Sequence, residues 1–235
     1  MKTRIVAFLM CLIMAMAFAL PAMADYTEGQ ISLIDEQENF SEDAYMFAGS
    51  NEKLVYPAVW TTGYHGEGLD FAGEKPHVRF DTALINKADA LTLNTWIFQR
   101  TETIHSLVFG CSGSNGHFKI VTVDNEYGNV MTFAYGLYNK DVYAVADVAL
   151  PVGEWAMVTA TIDATAMNLY LNGELIATAE PEVTPDALAI DLFRAASSFW
   201  GPTSLDAVMD DASVWTRALS ADEVAALYAA TKIAE

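Results

Sequence analysis

Short runs of alternating apolar and polar residues fill most of the chain after residue 25, and Gly, Asn, Asp and Pro separate them. Alternation with a period of two is typical of β-strands that bury one face. The clearest case lies between Trp155 and Ala179, where two such runs flank Asn172-Gly173. Asn-Gly favours a type I′ turn, because both central residues of that turn need a positive φ. This segment therefore predicts a β-hairpin.

Further strands are expected wherever the same alternation recurs between turn residues. Roughly a dozen short strands at this spacing favour two stacked antiparallel sheets over alternating βαβ units. The expected fold class is therefore an all-β sandwich. Besides the hairpin, the predicted strands cover residues 69–71, 77–80, 91–99, 105–109, 118–123, 130–135, 142–147, 187–192 and 208–215.

One short helix is expected, and it lies near the C-terminal end. Ser220 and Glu223 have the spacing of a capping box, and Leu219 and Val224 have that of a hydrophobic staple. Positions 224, 227, 228 and 231 then share one face, so the helix should dock on the sandwich. We interpret this helix as a packing element.

The first 24 residues have the order of an export signal. Lys2 and Arg4 precede an apolar run over residues 5–20, and Ala22-Met23-Ala24 forms a small-x-small cleavage pattern. We expect cleavage after Ala24 and a secreted or periplasmic protein; an uncleaved anchor is the alternative. The expected organisation is a signal peptide at 1–24, an N-terminal segment with the first strands and a loop of the sandwich at 25–58, and the main domain at 59–235.

Acidic residues dominate the charge of the chain. It has 12 Lys and Arg against 31 Asp and Glu, and cleavage would change the net charge from −19 to −21. Such a surface repels nucleic acid and anionic headgroups, so we expect no nucleic-acid partner and no membrane association after signal cleavage. Divalent cations, cationic partners or uncharged glycans fit better, although solubility alone would explain the acidity. The single remaining cysteine, Cys111, excludes an intramolecular disulfide.

Four pieces of the main domain stand in a recognisable order. They are HGEGLDFAG at 65–73, LTLNTWI at 91–97, GEWAMV at 153–158 with LYLNG at 169–173, and MDDASVWTRALS at 209–220. Together they resemble the laminin-G-like jellyroll domains of the concanavalin A-like lectin/glucanase superfamily. The resemblance implies a two-sheet antiparallel jelly-roll sandwich, frequently with calcium, and roles in glycan binding or adhesion. The chain departs from the family pattern before the closing aspartate. A Phe and a Gly often stand there in the family, whereas this chain has Leu205 and Ala207.

Catalytic patterns are missing from the sequence. Glycosidases of this superfamily place carboxylates on alternate positions of one strand, and the chain contains no E-x-D-x-E or E-x-D-x-x-E run. Asp124 and Glu126 alternate, but Tyr127-Gly128 follows them and indicates a turn. The four histidines accompany no nucleophile elbow or zinc-binding helix, and Cys111 is expected to be a small buried or loop thiol. We therefore expect a protein that is not an enzyme.

The metal prediction follows from the resemblance. Calcium takes six to eight oxygen ligands. The resemblance implies that Asp210 is the closing ligand of a structural Ca²⁺ site and that the Gly73 carbonyl lies in the matching early loop. An acid of the N-terminal segment, Asp43, is expected to complete the shell. The alternative is that Asp210 only ends a strand on an acidic surface.

Binding of a glycan needs aromatic rings beside a few polar groups. Trp60, Tyr64 and His65 fall in a glycine-broken loop, and Trp200 falls in a second loop, so these four are the predicted ligand-binding residues. The alternative is that such aromatics only cover the core. The tryptophans at 96, 155 and 215 lie in strand patterns and are expected in the core.

The expected function is an exported, non-catalytic module that binds a carbohydrate or an extracellular protein, with calcium as a structural cofactor. The first alternative is a structural or assembly protein of the cell envelope, which would use a sandwich face or a sheet edge. The second is a glycoside hydrolase or lyase whose site the sequence does not reveal.

Overall fold

A computed structural model describes residues 28–40, 44–48, 58–72, 76–197 and 204–234. Its helices are α1 (Ala83–Asn86) and α2 (Ala221–Thr231). Its strands are β1 (Gln30–Ile34), β2 (Ala44–Ala48), β3 (Val59–Thr62), β4 (Glu67–Asp70), β5 (Pro76–Phe80), β6 (Leu91–Gln99), β7 (Leu107–Gly113), β8 (Gly116–Asp124), β9 (Val130–Leu137), β10 (Val142–Val145), β11 (Trp155–Ile162), β12 (Met167–Leu171), β13 (Glu174–Ala179), β14 (Ile190–Ala195) and β15 (Ala207–Trp215).

The strands form two antiparallel sheets, which confirms the predicted sandwich. The eight-stranded sheet has the order β13-β12-β11-β6-β15-β4-β3, and β1 pairs with the second half of β15. The seven-stranded sheet has the order β10-β9-β8-β7-β14-β5-β2. Every predicted strand overlaps an observed one, and the prediction for 91–99 matches β6 from end to end. The sequence did not predict β1, β2 and β3 as separate strands, nor the single turn of α1.

The hairpin of β12 and β13 forms as predicted. Asn172 has a φ of 52° and Gly173 a φ of 82°, the positive values that a type I′ turn requires. The Asn172 side chain adds a further bond, because its Oδ1 accepts a hydrogen bond from the Met157 backbone N–H at 2.8 Å. The turn therefore also fixes the end of β11.

Two apolar clusters hold the structure together. The larger one lies between the sheets and contains Cys111, whose burial raises the pKa of its thiol. The smaller one lies on the outer face of the eight-stranded sheet, under α2, and contains Trp96 and Trp215. These two tryptophans are buried as expected, but under the helix and not between the sheets; Trp155 is only partly buried beside them.

The start of α2 has the predicted capping box. The Ser220 hydroxyl accepts from the Glu223 N–H at 3.3 Å, and the Glu223 carboxylate accepts from the Ser220 N–H at 2.8 Å. Leu219 and Val224 are both buried in the cluster under α2, as the staple pattern predicts. Neither α1 nor α2, the two helices of the described ranges, is long and apolar enough to cross a bilayer.

Candidate functional site

A cleft of about 480 Å³ opens on the outer face of the eight-stranded sheet, between α2 and β1. Strands β1, β6 and β15 form its floor, and Leu227 and Thr231 of α2 form one wall. Most of the remaining lining is polar and comes from positions far apart in the chain: Gln30, Ser32, Asp35, Asn94, Asp211 and Ser213.

Strand register explains why these polar groups meet. Ser32 lies opposite Ser213, Ser213 lies opposite Asn94, and Asn94 lies opposite Thr159. Directly opposed residues of antiparallel strands project to the same face, so the four side chains form one row across the sheet. The Thr159 hydroxyl donates to Asn94 Oδ1 at 2.7 Å, which fixes the orientation of the Asn94 amide.

Trp96 stabilises the wall of the cleft and has little surface exposed to a ligand. Its side chain is 2% exposed, and its Nε1 donates to the Thr231 hydroxyl at 3.2 Å. Tyr64 stacks on the indole with ring centroids 3.9 Å apart, and Tyr228 stacks at 5.7 Å. Because these rings cover the indole, Trp96 presents an edge to the cleft.

The turn over residues 63–66 packs on the Trp96 indole through Tyr64. The Gly63 N–H donates to the Gly66 carbonyl at 3.0 Å, which defines the turn. The Tyr64 hydroxyl accepts from the Ile233 N–H at 2.9 Å, just beyond α2. His65 has two anchors on β15: its N–H donates to Asp210 Oδ2 at 2.8 Å, and its Nδ1 lies 2.5 Å from Asp211 Oδ2.

The two acidic residues of β15 have different surroundings. Asp210 is 0% exposed and its two oxygens accept from the backbone N–H groups of His65 and Asp211, both at 2.8 Å. Burial, with a smaller effect of the Asp211 charge, raises the pKa of Asp210 to about 7. Burial also raises the pKa of Asp211, although contact with His65 opposes this.

A β-bulge places Asp211 in the cleft. The register between β6 and β15 shifts between Asp210 and Ser213, and Asp211 has a φ of 47°. A bulge redirects the side chain of the extra residue. The Asp211 carboxylate therefore faces the cleft beside the polar row. The carboxylate of its neighbour Asp210 instead accepts a hydrogen bond from the 63–66 turn.

The structure brings together only some of the predicted site residues. Tyr64 and His65 contact Asp210 and the rim of the cleft, whereas Trp60 is a residue of β3 and not of a loop. The Trp60 ring is half-buried and meets the edge of Phe40 at 5.4 Å, so it packs on the core. Trp200, Asp43 and Gly73 lie outside the described residues.

Sequence reasoning missed the polar row of the cleft. Asn94 and Ser213 fall in predicted strands, but the sequence does not identify them as polar positions of a single face. Ser32 lies in β1, which the sequence did not predict as a strand. The alternation around Asn94 indicates which face of β6 its side chain occupies. Only the pairing of β6 with β15 and of β15 with β1 shows that Asn94 lies in line with Ser213 and Ser32.

The structure also tests two other sequence interpretations. Residues Asn125–Tyr127 form a single 3₁₀ turn, as predicted, and Asp124 stabilises it by accepting from the Glu126 N–H at 3.2 Å. Within the described ranges, no three His, Cys, Asp or Glu side chains lie close enough together to hold a metal ion. Any calcium site at Asp210 would therefore need ligands from elsewhere, such as Asp43 and Gly73.

A family model matches residues 72–225, more than half of the chain, and its description is the Concanavalin A-like lectin/glucanases superfamily. This agrees with the resemblance of the four sequence pieces. No curated protein matches the chain by sequence.

Solved structures with the same fold include an arabinanase domain and domains of toxins. Domain 4 of AbnA, a GH43 extracellular arabinanase from Geobacillus stearothermophilus, solved with arabinotriose, superposes with a TM-score of 0.70 at 16% identity. That alignment covers 85% of this chain and 97% of the arabinanase domain. The chain therefore corresponds to that domain over almost its whole length.

Domains of two toxins superpose less completely. The binding domain of Paraclostridial Mosquitocidal Protein 1 gives a TM-score of 0.61 at 13% identity, with 86% of this chain and 52% of the toxin domain covered. A structure of botulinum neurotoxin type C, whose cell entry depends on two ganglioside molecules, gives 0.61 at 12% identity, with 90% and 53% covered. The chain spans about half the length of these domains, so the similarity to them concerns the fold alone.

Proposed function

Because the chain belongs to the Concanavalin A-like lectin/glucanases superfamily, we propose that it is an exported, non-catalytic module that binds a carbohydrate in the cleft beside α2. The observation that carries this proposal is the row of hydroxyl and amide groups on the cleft floor. Sugar hydroxyls both donate and accept hydrogen bonds, and sites for them combine a shaped cavity with a few placed polar groups.

Each element of the cleft has a role in this proposal. The Ser32 and Ser213 hydroxyls can donate or accept, and the Asn94 amide is held in one orientation by Thr159. Asp35 and Asp211 contribute carboxylates, which accept strong hydrogen bonds from sugar hydroxyls. The same carboxylates repel acids, so this cleft favours an uncharged saccharide.

Two observations support export and binding of a sugar without catalysis. The first 24 residues have the order of an export signal, and the arabinanase that contains the similar domain is extracellular. In that enzyme the matched part is domain 4, solved with arabinotriose, and we propose that this chain likewise binds sugar without cleaving it.

Asp35→Ala is expected to weaken binding of an uncharged oligosaccharide by about 10-fold, or about 1.4 kcal/mol, because it removes one charged acceptor from the cleft. Arabinotriose and the hits of a neutral glycan array are the probes, and titration calorimetry gives the affinity. Asp191→Ala is the matched control, since Asp191 is an exposed carboxylate on β14 of the other sheet. Equal affinity of the Asp35 variant and the parent would contradict a site in the cleft.

Calcium enters the proposal as a structural ion at Asp210. Asp210 and Asp211 are adjacent, largely buried carboxylates whose pKa values are raised, and a cation would stabilise their charged forms. The Asp210 oxygens already accept from the backbone N–H groups of His65, Asp211 and Tyr64, which hold the carboxylate in one orientation. Asp43 and the Gly73 carbonyl would complete the shell that the family resemblance implies.

Millimolar calcium is expected to raise the melting temperature, and EDTA to lower it, because an ion that binds only the folded state stabilises it. At 100 times the dissociation constant the gain is about 2.7 kcal/mol. Asp210→Asn should lose the response, whereas Asp89→Asn, at an exposed site, should keep it. The calcium proposal fails if calcium and EDTA leave the parent melt unchanged.

A further inference from the structure

The floor of the cleft beside α2 has a hydrogen-bond donor that the protein itself does not use. Asn94 lines the cleft and is 3% exposed. Its Oδ1 accepts from the Thr159 hydroxyl at 2.7 Å, and within the described ranges no group accepts from its Nδ2. A nearly buried donor without an acceptor is unfavourable, because the hydration that it loses is not replaced. The Asn94 amide nitrogen is therefore available to an oxygen of a ligand.

One carboxylate of the cleft is also available. Asp35 lines the cleft and is partly buried, and no residue that the structure describes forms a hydrogen bond or an ion pair with its side chain. The second carboxylate of the cleft differs, since one oxygen of Asp211 already contacts His65 Nδ1. Asp35 is thus the acceptor that a ligand can reach without displacing a partner.

The charge around Asp35 is negative. Burial raises the pKa of Asp211, contact with His65 opposes the rise, and the nearby charge of Asp35 adds to it, so the two carboxylates repel each other. No Lys or Arg stands among the described residues that line the cleft. A cationic group of a ligand beside Asp35 would relieve this repulsion.

A metal ion does not match these groups. Calcium takes six to eight oxygen ligands, and the described residues place no three His, Cys, Asp or Glu side chains together as a metal site would need. The cleft volume of about 480 Å³ lies in the range of sites for small organic molecules and is far larger than a single ion needs. The cation that complements Asp35 is therefore expected to belong to an organic ligand.

An ammonium group on a sugar ring matches both available groups. An ammonium has three N–H donors and no acceptor, whereas an ionised carboxylate such as Asp35 only accepts. Hydrogen bonds between two such charged groups are shorter and about twice as strong as those between neutral groups. Hydroxyls of the same sugar can accept from Asn94 Nδ2 and exchange hydrogen bonds with Ser32 and Ser213.

The polar row favours the amine of a sugar over the amine of a lysine side chain. Ser32, Ser213 and Asn94 lie in line across the floor of the cleft. A lysine ammonium stands at the end of a four-carbon apolar stem, which would cover these groups without bonding to them. Because covered polar groups without partners cost free energy, a ligand with hydroxyls near its ammonium fits this floor better.

We propose that the cleft recognises a saccharide with a free, protonated amino group, whose ammonium pairs with Asp35 while its hydroxyls bond to Asn94, Ser32 and Ser213. This inference rests on the proposed function, since it names the class of sugar that the same cleft prefers. An uncharged sugar keeps the contacts of the polar row but lacks the ion pair, so it binds more weakly. N-acetylation removes the charge of the amine, so the acetylated sugar loses the preference.

The test compares β-1,4-linked trimers of glucosamine, N-acetylglucosamine and glucose by titration calorimetry with the purified protein at 50 and 200 mM NaCl. The parent should bind the glucosamine trimer at least about 10-fold more tightly than either other trimer, and by a smaller factor at the higher salt. Asp35→Asn keeps the size and one acceptor oxygen but removes the charge, so its affinities for the three trimers should agree within about 3-fold. Asp191→Asn, at an exposed position of β14 on the other sheet, is the matched control and should keep the preference.

Asn94→Ala separates the contact with the hydroxyls from the contact with the ammonium. It should weaken the glucosamine and glucose trimers by the same factor, about 5-fold, because the donor on the floor serves hydroxyls that both sugars have. The ratio of the two affinities should therefore stay as in the parent. If Asn94→Ala removes the preference as Asp35→Asn does, the ammonium does not pair with Asp35. Thermal melts show that each variant is folded.

Three further results would overturn the proposal: no binding of the glucosamine trimer by the parent, an unchanged preference in Asp35→Asn, or equal affinity of the parent for trilysine. The second would assign the preference to the net charge of −19, and the third would show recognition of an amine without a sugar. Equal affinity for the glucosamine and glucose trimers, both weakened by Asp35→Ala, would refute the amino-sugar preference and leave the proposed function standing. Failure of the proposed function would instead appear as no effect of Asp35→Ala on the binding of any saccharide.

Discussion

Trp96→Ala is expected to lower the free energy of unfolding by about 4 kcal/mol, the typical cost of truncating a fully buried large aromatic residue. The indole is 2% exposed and joins three parts of the structure: Tyr64 stacks at 3.9 Å, Tyr228 stacks at 5.7 Å, and Thr231 accepts from Nε1. Removing it leaves a cavity under α2 that these rings cannot fill without moving. Urea unfolding followed by circular dichroism measures the change.

Two variants separate packing from hydrogen bonding at this position. Trp96→Phe keeps an aromatic ring but removes the bond to Thr231, so it should cost roughly half as much as the alanine variant. Trp60→Ala is the control for loss of an indole, because that ring is only partly buried beside Phe40. If Trp96→Ala costs no more than Trp60→Ala, then α2 does not depend on the indole.

The same variant bears on function, since α2 forms a wall of the cleft. Leu227 and Thr231 line the cleft, and Trp96 holds both the helix and the 63–66 turn in place. A folded Trp96→Ala protein should therefore also bind neutral oligosaccharide more weakly.

Local sequence patterns were sufficient for most of the fold. Period-two alternation located β6 from end to end. Asn172-Gly173 identified the turn between β12 and β13, because few residue pairs tolerate two positive φ values in succession. Ser220 and Glu223 marked the start of α2 for a similar reason, as the backbone groups at a helix start need nearby side-chain partners. In each case the information lies within a few residues of the chain.

The first strands were not predicted because their pairing is not local. The segment Gln30–Ile34 has only two buried residues at one end and becomes a strand by pairing with β15, some 180 residues later. In addition, β15 pairs with β4 through Val208 and Met209 and with β1 beyond its bulge. No pattern within β1 itself indicates that one part of β15 pairs with β4 and another part with β1.

The candidate sites show the same distinction. The sequence identifies Tyr64, His65 and Asp210 as separate glycan and calcium residues, but it could not show that His65 contacts Asp210 and Asp211 across about 145 positions. The polar row of the cleft is a stronger example, because Ser32, Asn94 and Ser213 are ordinary residues of three separate strands. Only the register of the sheet places them in one line.

Gly63→Ala is expected to cost about 3 kcal/mol, because the 63–66 turn has no room for a methyl group. A Cβ at this position would lie 2.7 Å from the Gly68 backbone nitrogen and 2.8 Å from Asp210 Cγ, closer than side chains tolerate. Gly63 does not have a left-handed φ, so the cost comes from lack of space and not from backbone strain. Thermal and urea unfolding measure it.

The displaced turn should also lose its contacts with β15. His65 contacts Asp211 at 2.5 Å only while the Asp210 carboxylate holds the turn, so Gly63→Ala should weaken binding of neutral oligosaccharide in the cleft and remove any calcium response. Gly153→Ala is the control: Gly153 has a φ of 80°, but a methyl group there would meet no atom within 4 Å, so the change should cost only about 1–2 kcal/mol of backbone strain and leave binding intact. If the two variants have equal stability and equal affinity, then close packing of Gly63 against Asp210 does not organise the site.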